Sequence, residues 1–515
     1  MFLALIIIAA LEPGLGTVHF ATSTKNAEAQ RYFDQGMSYL YGFNHEAAVK
    51  SFQEAAKLDP NLAMADWGIA LALGPNINLD VDPDREKQAY QAIQSAQKKD
   101  GSQKERDLVT ALAKRYSIDA NADLKKLAAD YSEAMGALSK KYPDDLDIAT
   151  LYAESMMDLR PWKFWLHDGK PAPQTEEIVA VLESVLKRDP QHLGANHYYI
   201  HAVEASPHPE RALKSADRLN TLAPESGHLV HMPAHIYQRT GNYSGAAKAN
   251  ETAAAVDRKF IEKHGKEGIY PLMYYNHNLQ FGAASYAMEG RFAEAKKMTD
   301  EFGATAVAMS KEMPMLESAA AAPVLLRVRF GKWADVLKMP AVEAGPTSTV
   351  MSHFARGVAF ARTGDVAAAE REHEQFEQAR KSLTDDPGIF QNSPKALARV
   401  AGGILDGRIA EAKGDRAKAL RAYQRAVAAE DGLDYDEPAD WFYPARETLG
   451  GALLRDGQFA AAEKVFAEDL QRNPNNPRSL FGLAEAQRRQ KKPSETAAAR
   501  FKRYWRGETL RIEDL

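Results

Sequence analysis

Small and aromatic apolar positions recur along the chain at the intervals that a stack of paired helices needs. Near the start, Tyr32, Gly36 and Tyr39, then Ala48, Phe52 and Ala55, stand three or four residues apart, the stride of one helical stripe, and Pro60 follows. Near the other end, Leu449, Gly450, Leu453, Ala462, Phe466 and Pro474 repeat the arrangement. Pro190 and Pro224 each close an amphipathic segment, one period apart. Gly241, Gly290, Gly331, Gly364, Gly414 and Gly457 end first helices, and each precedes an alanine-rich second helix. The prediction is a run of helical hairpins in which small residues let helices approach while Tyr and Phe fill the gaps. A chain of 515 residues is too long for one compact core unless repetition builds that core.

These positions resemble the tetratricopeptide-repeat consensus from about residue 29 to 505, more loosely around 75–145. The resemblance implies an all-α solenoid of about twelve hairpins wound into a superhelix that encloses a concave groove. The expected organisation is a signal peptide over 1–21, N-terminal repeats over 22–145 and central histidine-rich repeats over 146–300. Further repeats follow over 301–430, then an aromatic insertion and the last repeats over 431–515. Insertions at 74–85, 160–174 and 430–443 break the regularity. The last two bring Trp162, Trp165, Trp441, Phe442 and Tyr443, which either wall a groove or seal the stack.

Nine of the fourteen histidines fall between residues 192 and 280. His197/His201 and His231/His235 have i, i+4 spacing, so each pair projects from one helical face. Glu204 extends the first row and His228 the second. In the repeat geometry that the resemblance implies, His197, His201, Glu204, His228, His231, His235 and His277 all take groove-lining positions. Glu154 and Asp158 take the same face one repeat earlier, with Met157 beside them. Imidazole and carboxylate rows on neighbouring helices are what a metal ion needs. A hydrogen-bonded His/Glu/Tyr network that stiffens the groove is the competing explanation, and direct binding of a peptide or anion by the histidines is a third. Pro233 inside the second row removes a backbone donor beside the candidate ligands.

The segments HYYIHAVEAS, GHLVHMPAHIYQRTGNY and YYNHN resemble a bacterial secreted subgroup of repeat proteins, as do MMDLRPW and EPADWFYPARETLGGALL. That subgroup supplies motifs and no reaction. Its motif positions here are Asp158, Trp162, His197, His201, Glu204, His228, His231, His235, His277 and the stretch from Glu437 to Arg446. Tyr198 and Asn276 lie within the same segments.

Composition narrows the chemistry. Zero cysteine removes disulfides, thiolate ligands and cysteine nucleophiles, leaving His, Asp, Glu or Met as ligands. A net charge of −5 without a basic run argues against a nucleic-acid partner. The run Phe2–Leu11 is too short for a bilayer core of about 30 Å and resembles a secretory signal, so export is expected, with an uncleaved N-terminal segment the sole membrane contact.

The leading expectation is a metal centre, zinc or copper foremost and iron after them, in a metal-dependent enzyme acting on a small molecule or peptide in the groove. Glu204 or Glu154 would be its general base, and Trp162, Tyr198, Asn276, Trp441, Tyr443 and Asp158 would contact substrate. Zinc or paired ions suit hydrolysis; copper or iron suits oxidation, with Tyr198, Tyr199 or Tyr275 nearby. A peptide-binding scaffold without catalysis is the first alternative. A copper-trafficking protein using Met156, Met157, Met232 and Met273 is the second.

Overall fold

The computed structural model describes residues 10–119, 121–265, 268–388 and 391–515; the apolar run as far as Ala9 lies outside them. Among the described residues the chain is all-α, with Asn76–Leu79 and Trp165–Pro171 as isolated bridges. No helix there is long and apolar enough to cross a membrane. The chain forms two compact units. The first holds Met1–Ile236 and Thr252–Tyr275, the second Tyr237–Glu251 and Asn276–Leu515.

The first unit opens with the hairpin Ala27–Tyr41 and His45–Leu58. Asn26 caps the first helix by accepting from the Glu28 and Ala29 amides, and Asn44 caps the second by accepting from Ala47. The residues before the hairpin pack against this unit. The Phe20 ring lies 5.7 Å from both Phe33 and Trp67, and the Ser23 amide donates to Glu105. Phe52 packs into the space left by two glycines: a Cβ at Gly36 would come within 2.4 Å of its ring, and one at Gly68 within 2.7 Å. Phe466 does the same in the second unit, where added Cβ atoms at Gly450 and Gly482 would meet it at 2.4 and 2.2 Å. One wedge device therefore serves both ends of the sequence.

The second unit stacks the hairpins Pro346–Thr363/Val366–Arg380, Pro394–Ala412/Arg416–Asp431, Ala445–Arg455/Phe459–Arg472 and Pro477–Arg489/Glu495–Tyr504. Its core gathers Phe354, Phe376, Ile404, Leu405 and Trp441, with the Trp441 and Phe354 rings 5.7 Å apart. The 430–443 insertion thus delivers Trp441 and Tyr443 to packed positions within this unit.

Several hairpin turns carry a positive-φ residue. Gly364, Gly414 and Gly457 stand just before the residue that caps the second helix, at φ of 89°, 80° and 77°. In the first hairpin that place belongs to Phe43, at φ 56°. A bulky side chain in the left-handed region costs about 1–3 kcal/mol and persists where its surroundings fix it. Those surroundings are histidines.

Candidate metal centre

The helix Leu193–Val203 is buried along its whole length. His192 caps it, its Nδ1 accepting from the Ala195 amide at 3.2 Å. Gly194 lets it close on Tyr41, whose ring would meet a Cβ there at 2.4 Å. Beyond the intervening helix Leu213–Leu222, a helix runs Gly227–His231, breaks at Met232 and resumes as Pro233–Arg239. The break follows from the missing donor: Pro233 cannot bond the Leu229 carbonyl, yet its fixed φ suits a helix start. The i, i+4 pair survives the break, with His231 Nε2 and His235 Nε2 at 2.7 Å.

Hydrogen bonding fixes the tautomers. His197 Nδ1 stands 2.6 Å from the Tyr41 carbonyl, an acceptor only, so Nδ1 carries the proton. His201 Nδ1 donates to Glu204 Oε1 at 2.8 Å, and His235 Nδ1 donates to Glu204 Oε2. A neutral imidazole that donates through Nδ1 presents a lone pair at Nε2. His197 Nε2 and His201 Nε2 face one another at 3.1 Å, lone pair to lone pair. His228 Nε2 also lies 3.1 Å from His197 Nε2, and its Nδ1 is buried without a hydrogen-bond partner.

All five rings and Glu204 are at most 2 % exposed. Burial pushes His197, His201 and His228 below the ordinary histidine range, which keeps them neutral and ready to coordinate. Burial opposes ionisation of Glu204 as well, but His235 and His201 outweigh it and hold that carboxyl down to about 2. One ligand atom each from His197, His201 and His228 lies within 4.8 Å of the others, as do those of His201, Glu204 and His235. Nitrogens bound to one ion at about 2.0–2.1 Å stand roughly 2.9–3.4 Å apart for angles from square to tetrahedral. The two 3.1 Å separations fall inside that interval. These groups can hold an ion.

Phe43 packs into the middle of the cluster. Its ring lies 4.5 Å from His197, 5.5 Å from His228 and 5.9 Å from His201. On its other side it lines a cavity of about 490 Å³ together with Tyr270 and Tyr274. The Tyr274 ring stands 4.9 Å from His228, and the Tyr270 hydroxyl accepts from the His228 amide at 3.1 Å while donating to Asp257. Neither Phe43 nor the Tyr41 carbonyl stands out in the histidine motifs. The available signal was a phenylalanine where Gly364, Gly414 and Gly457 stand in three other hairpins.

The remaining sequence candidates are distributed over both units. Trp162 meets the His201 ring edge-on at 5.6 Å. Tyr198 is buried between Phe43 and His197, at 5.8 and 5.3 Å. Asp158 forms an ion pair with Arg115, and both are buried. Glu154 joins that group; burial and then the Asp158 charge raise its carboxyl well above the usual range, so it is uncharged. Met156, Met157 and Met232 are core residues of the first unit. Asn276 and His277 belong to the second unit, on the helix Tyr275–Glu289, with the His277 and Phe281 rings 6.0 Å apart.

Tetratricopeptide-repeat models match residues 29–62 and 448–504. No curated protein matches the chain. Among solved structures, the human IFIT1 dimer with m7Gppp-AAAA is 13% identical, with 93% of this chain and 90% of that one covered, at a TM-score of 0.34. The yeast Tom70 structure is 12% identical over 90% and 89%, at 0.31. The APC/C hetero-tetramer Cut9-Hcn1 is 13% identical over 89% and 76%, at 0.32. The two matched segments, each built around the phenylalanine wedge described above, are tetratricopeptide repeats.

Proposed function

We propose that the first unit is a metal-binding domain whose ion is held by His197, His201 and His228, with His235 and His231 next to them, and that it serves a metal-dependent enzyme. The observation that carries this reading is the 3.1 Å approach of His197 Nε2 to His201 Nε2 with both Nδ1 protons already committed. Neutral rings in that arrangement repel, and a shared cation removes the repulsion. Burial works against protonation as the alternative source of positive charge, because it favours the neutral rings.

The donor set is imidazole without thiolate, which suits zinc or copper. Bound zinc would supply Lewis-acid polarisation and bound copper one-electron chemistry. Glu204 orients two of the rings, a role that raises ligand basicity. The cavity behind Phe43 and Tyr274 offers a small molecule a place beside the cluster. The compartment in this reading is the exported one implied by the run Phe2–Leu11.

Elemental analysis of the purified full chain tests the proposal. One or two equivalents of zinc or copper, lost in a His197→Ala/His201→Ala double variant that stays folded, is the expected result. A metal-free chain whose chelator-treated form takes up neither Zn²⁺ nor Cu²⁺ in titration calorimetry overturns it.

A further inference from the structure

The second unit carries a cluster of arginines that the metal reading does not use. Arg329, Arg362, Arg408, Arg455 and Arg478 come from five helices, Ala322–Arg329, Pro346–Thr363, Pro394–Ala412, Ala445–Arg455 and Pro477–Arg489. Three of them, Arg329, Arg362 and Arg455, stand two residues before the glycine that ends their hairpin's first helix.

Four of these guanidinium groups read the backbone of one short segment. Arg455 Nη1 donates to the Ile512 carbonyl at 3.0 Å, and Arg362 Nη2 to that of Glu513 at 2.6 Å. Arg478 Nη1 donates to the Asp514 carbonyl at 2.6 Å. Arg408 Nη2 and Arg455 Nη1 both reach the Leu515 backbone oxygen, at 3.3 and 3.2 Å. Two carboxylates aim the set: Glu411 pairs with Arg408 and Arg455, and Glu447 with Arg329. The Leu515 side chain enters an apolar socket over Gly451, where an added Cβ would come within 2.5 Å of it.

We propose that this arginine cluster is a peptide-binding site which the chain's own Leu510–Leu515 segment fills as a displaceable occupant. The partner it fits is a segment of the same chemistry, two acidic residues followed by a bulky aliphatic one.

Three features separate this from a fixed cap on the last hairpin. The segment lies along the surface and is held at its two ends: Leu510 and Leu515 are buried, Ile512 and Asp514 half-buried, and Arg511 and Glu513 exposed. Backbone carbonyls are presented by any segment, so contacts to four of them in a row transfer to a peptide in trans. Capacity is also left over: a cavity of about 190 Å³ continues beside Asp514 between Arg329, Arg362 and Arg478, and Arg362 Nε and Arg478 Nε are buried without hydrogen-bond partners. Burial, together with the Arg408 and Arg455 charges, pushes Arg362 down to about 10. The inference does not rest on the metal reading.

The test uses the full chain, a Leu515→Asp variant that expels the segment from its socket, and a fluorescent peptide of sequence ETLRIEDL copying residues 508–515. Anisotropy is expected to give at least tenfold tighter binding to the variant than to the native chain. That binding is expected to fall at least tenfold when Arg408→Ala or Arg455→Ala is added, and a scrambled peptide should not bind. Equal binding to native and variant chains, no binding to either, or binding indifferent to both arginines overturns the proposal. So does a Leu515→Asp chain whose second unit no longer unfolds cooperatively, since the segment would then be a fixed part of the core.

Discussion

His201 and His235, from two helices of the first unit, share one carboxylate: each donates its Nδ1 proton to a different oxygen of Glu204. A single buried acid thereby sets the tautomer and the tilt of both rings, turning both Nε2 atoms away from it. Glu204→Gln keeps the shape but offers one oxygen and one amide donor, so one ring must rotate or change tautomer. Apparent affinity for Zn²⁺ or Cu²⁺, measured by competition with a coloured chelator, should fall about 10–100-fold. An unchanged affinity would separate Glu204 from the centre.

Phe43 occupies the left-handed turn position that glycine fills in other hairpins. Phe43→Gly relieves about 1–3 kcal/mol of backbone strain but removes the ring between the histidines and the cavity. Losing a buried Phe side chain costs about 3–5 kcal/mol, so the net effect should be destabilising, read as a lower midpoint in urea. Metal affinity should drop with it, because three imidazoles lose their packing surface.

The metal-free protein should lose stability on acidification. Burial, followed by the nearby Arg85 charge, pushes His45 down to about 3, and burial also lowers His197, His201 and His228. Unfolded histidines titrate near 6.5. Between that value and the lower folded values the unfolded chain binds more protons, so stability falls as pH drops below about 6.5. Thermal midpoints at pH 7.5, 6.5 and 5.5 should decline in that order. A rising midpoint would mean that these rings are charged when folded.

Arg115 and Asp158 form an ion pair with both side chains buried. Breaking it from one side strands a buried charge, so Asp158→Ala should destabilise the first unit by about 3–5 kcal/mol in equilibrium denaturation. A loss below about 1 kcal/mol would show that the guanidinium finds water or a new partner.

Gly36→Val and Gly450→Val test the shared wedge. Each side chain collides with a phenylalanine ring, Phe52 or Phe466, and overpacking of this kind costs about 1–3 kcal/mol. Similar losses at two positions far apart in sequence, measured by chemical denaturation, would establish one device used twice.

Much of the fold was legible because its determinants are local and repeated. The spacing of Gly36 and Phe52, and again of Gly450 and Phe466, fixes which residues meet within a hairpin, and helical stride carries that information without any distant contact. The pairs His197/His201 and His231/His235 were legible for the same reason, since residues four apart share a helical face. Which partner takes each ring nitrogen was not. The Tyr41 carbonyl lies far from His197 in sequence, and Glu204 reaches His235 on another helix; both relations exist only once the hairpins stack. The same holds for the arginines around Ile512–Leu515, which are ordinary one by one along the chain. Local periodicity determined the helices and their faces. Stacking alone decided which faces meet, because closing those long loops is a property of the packed array and not of any segment in it.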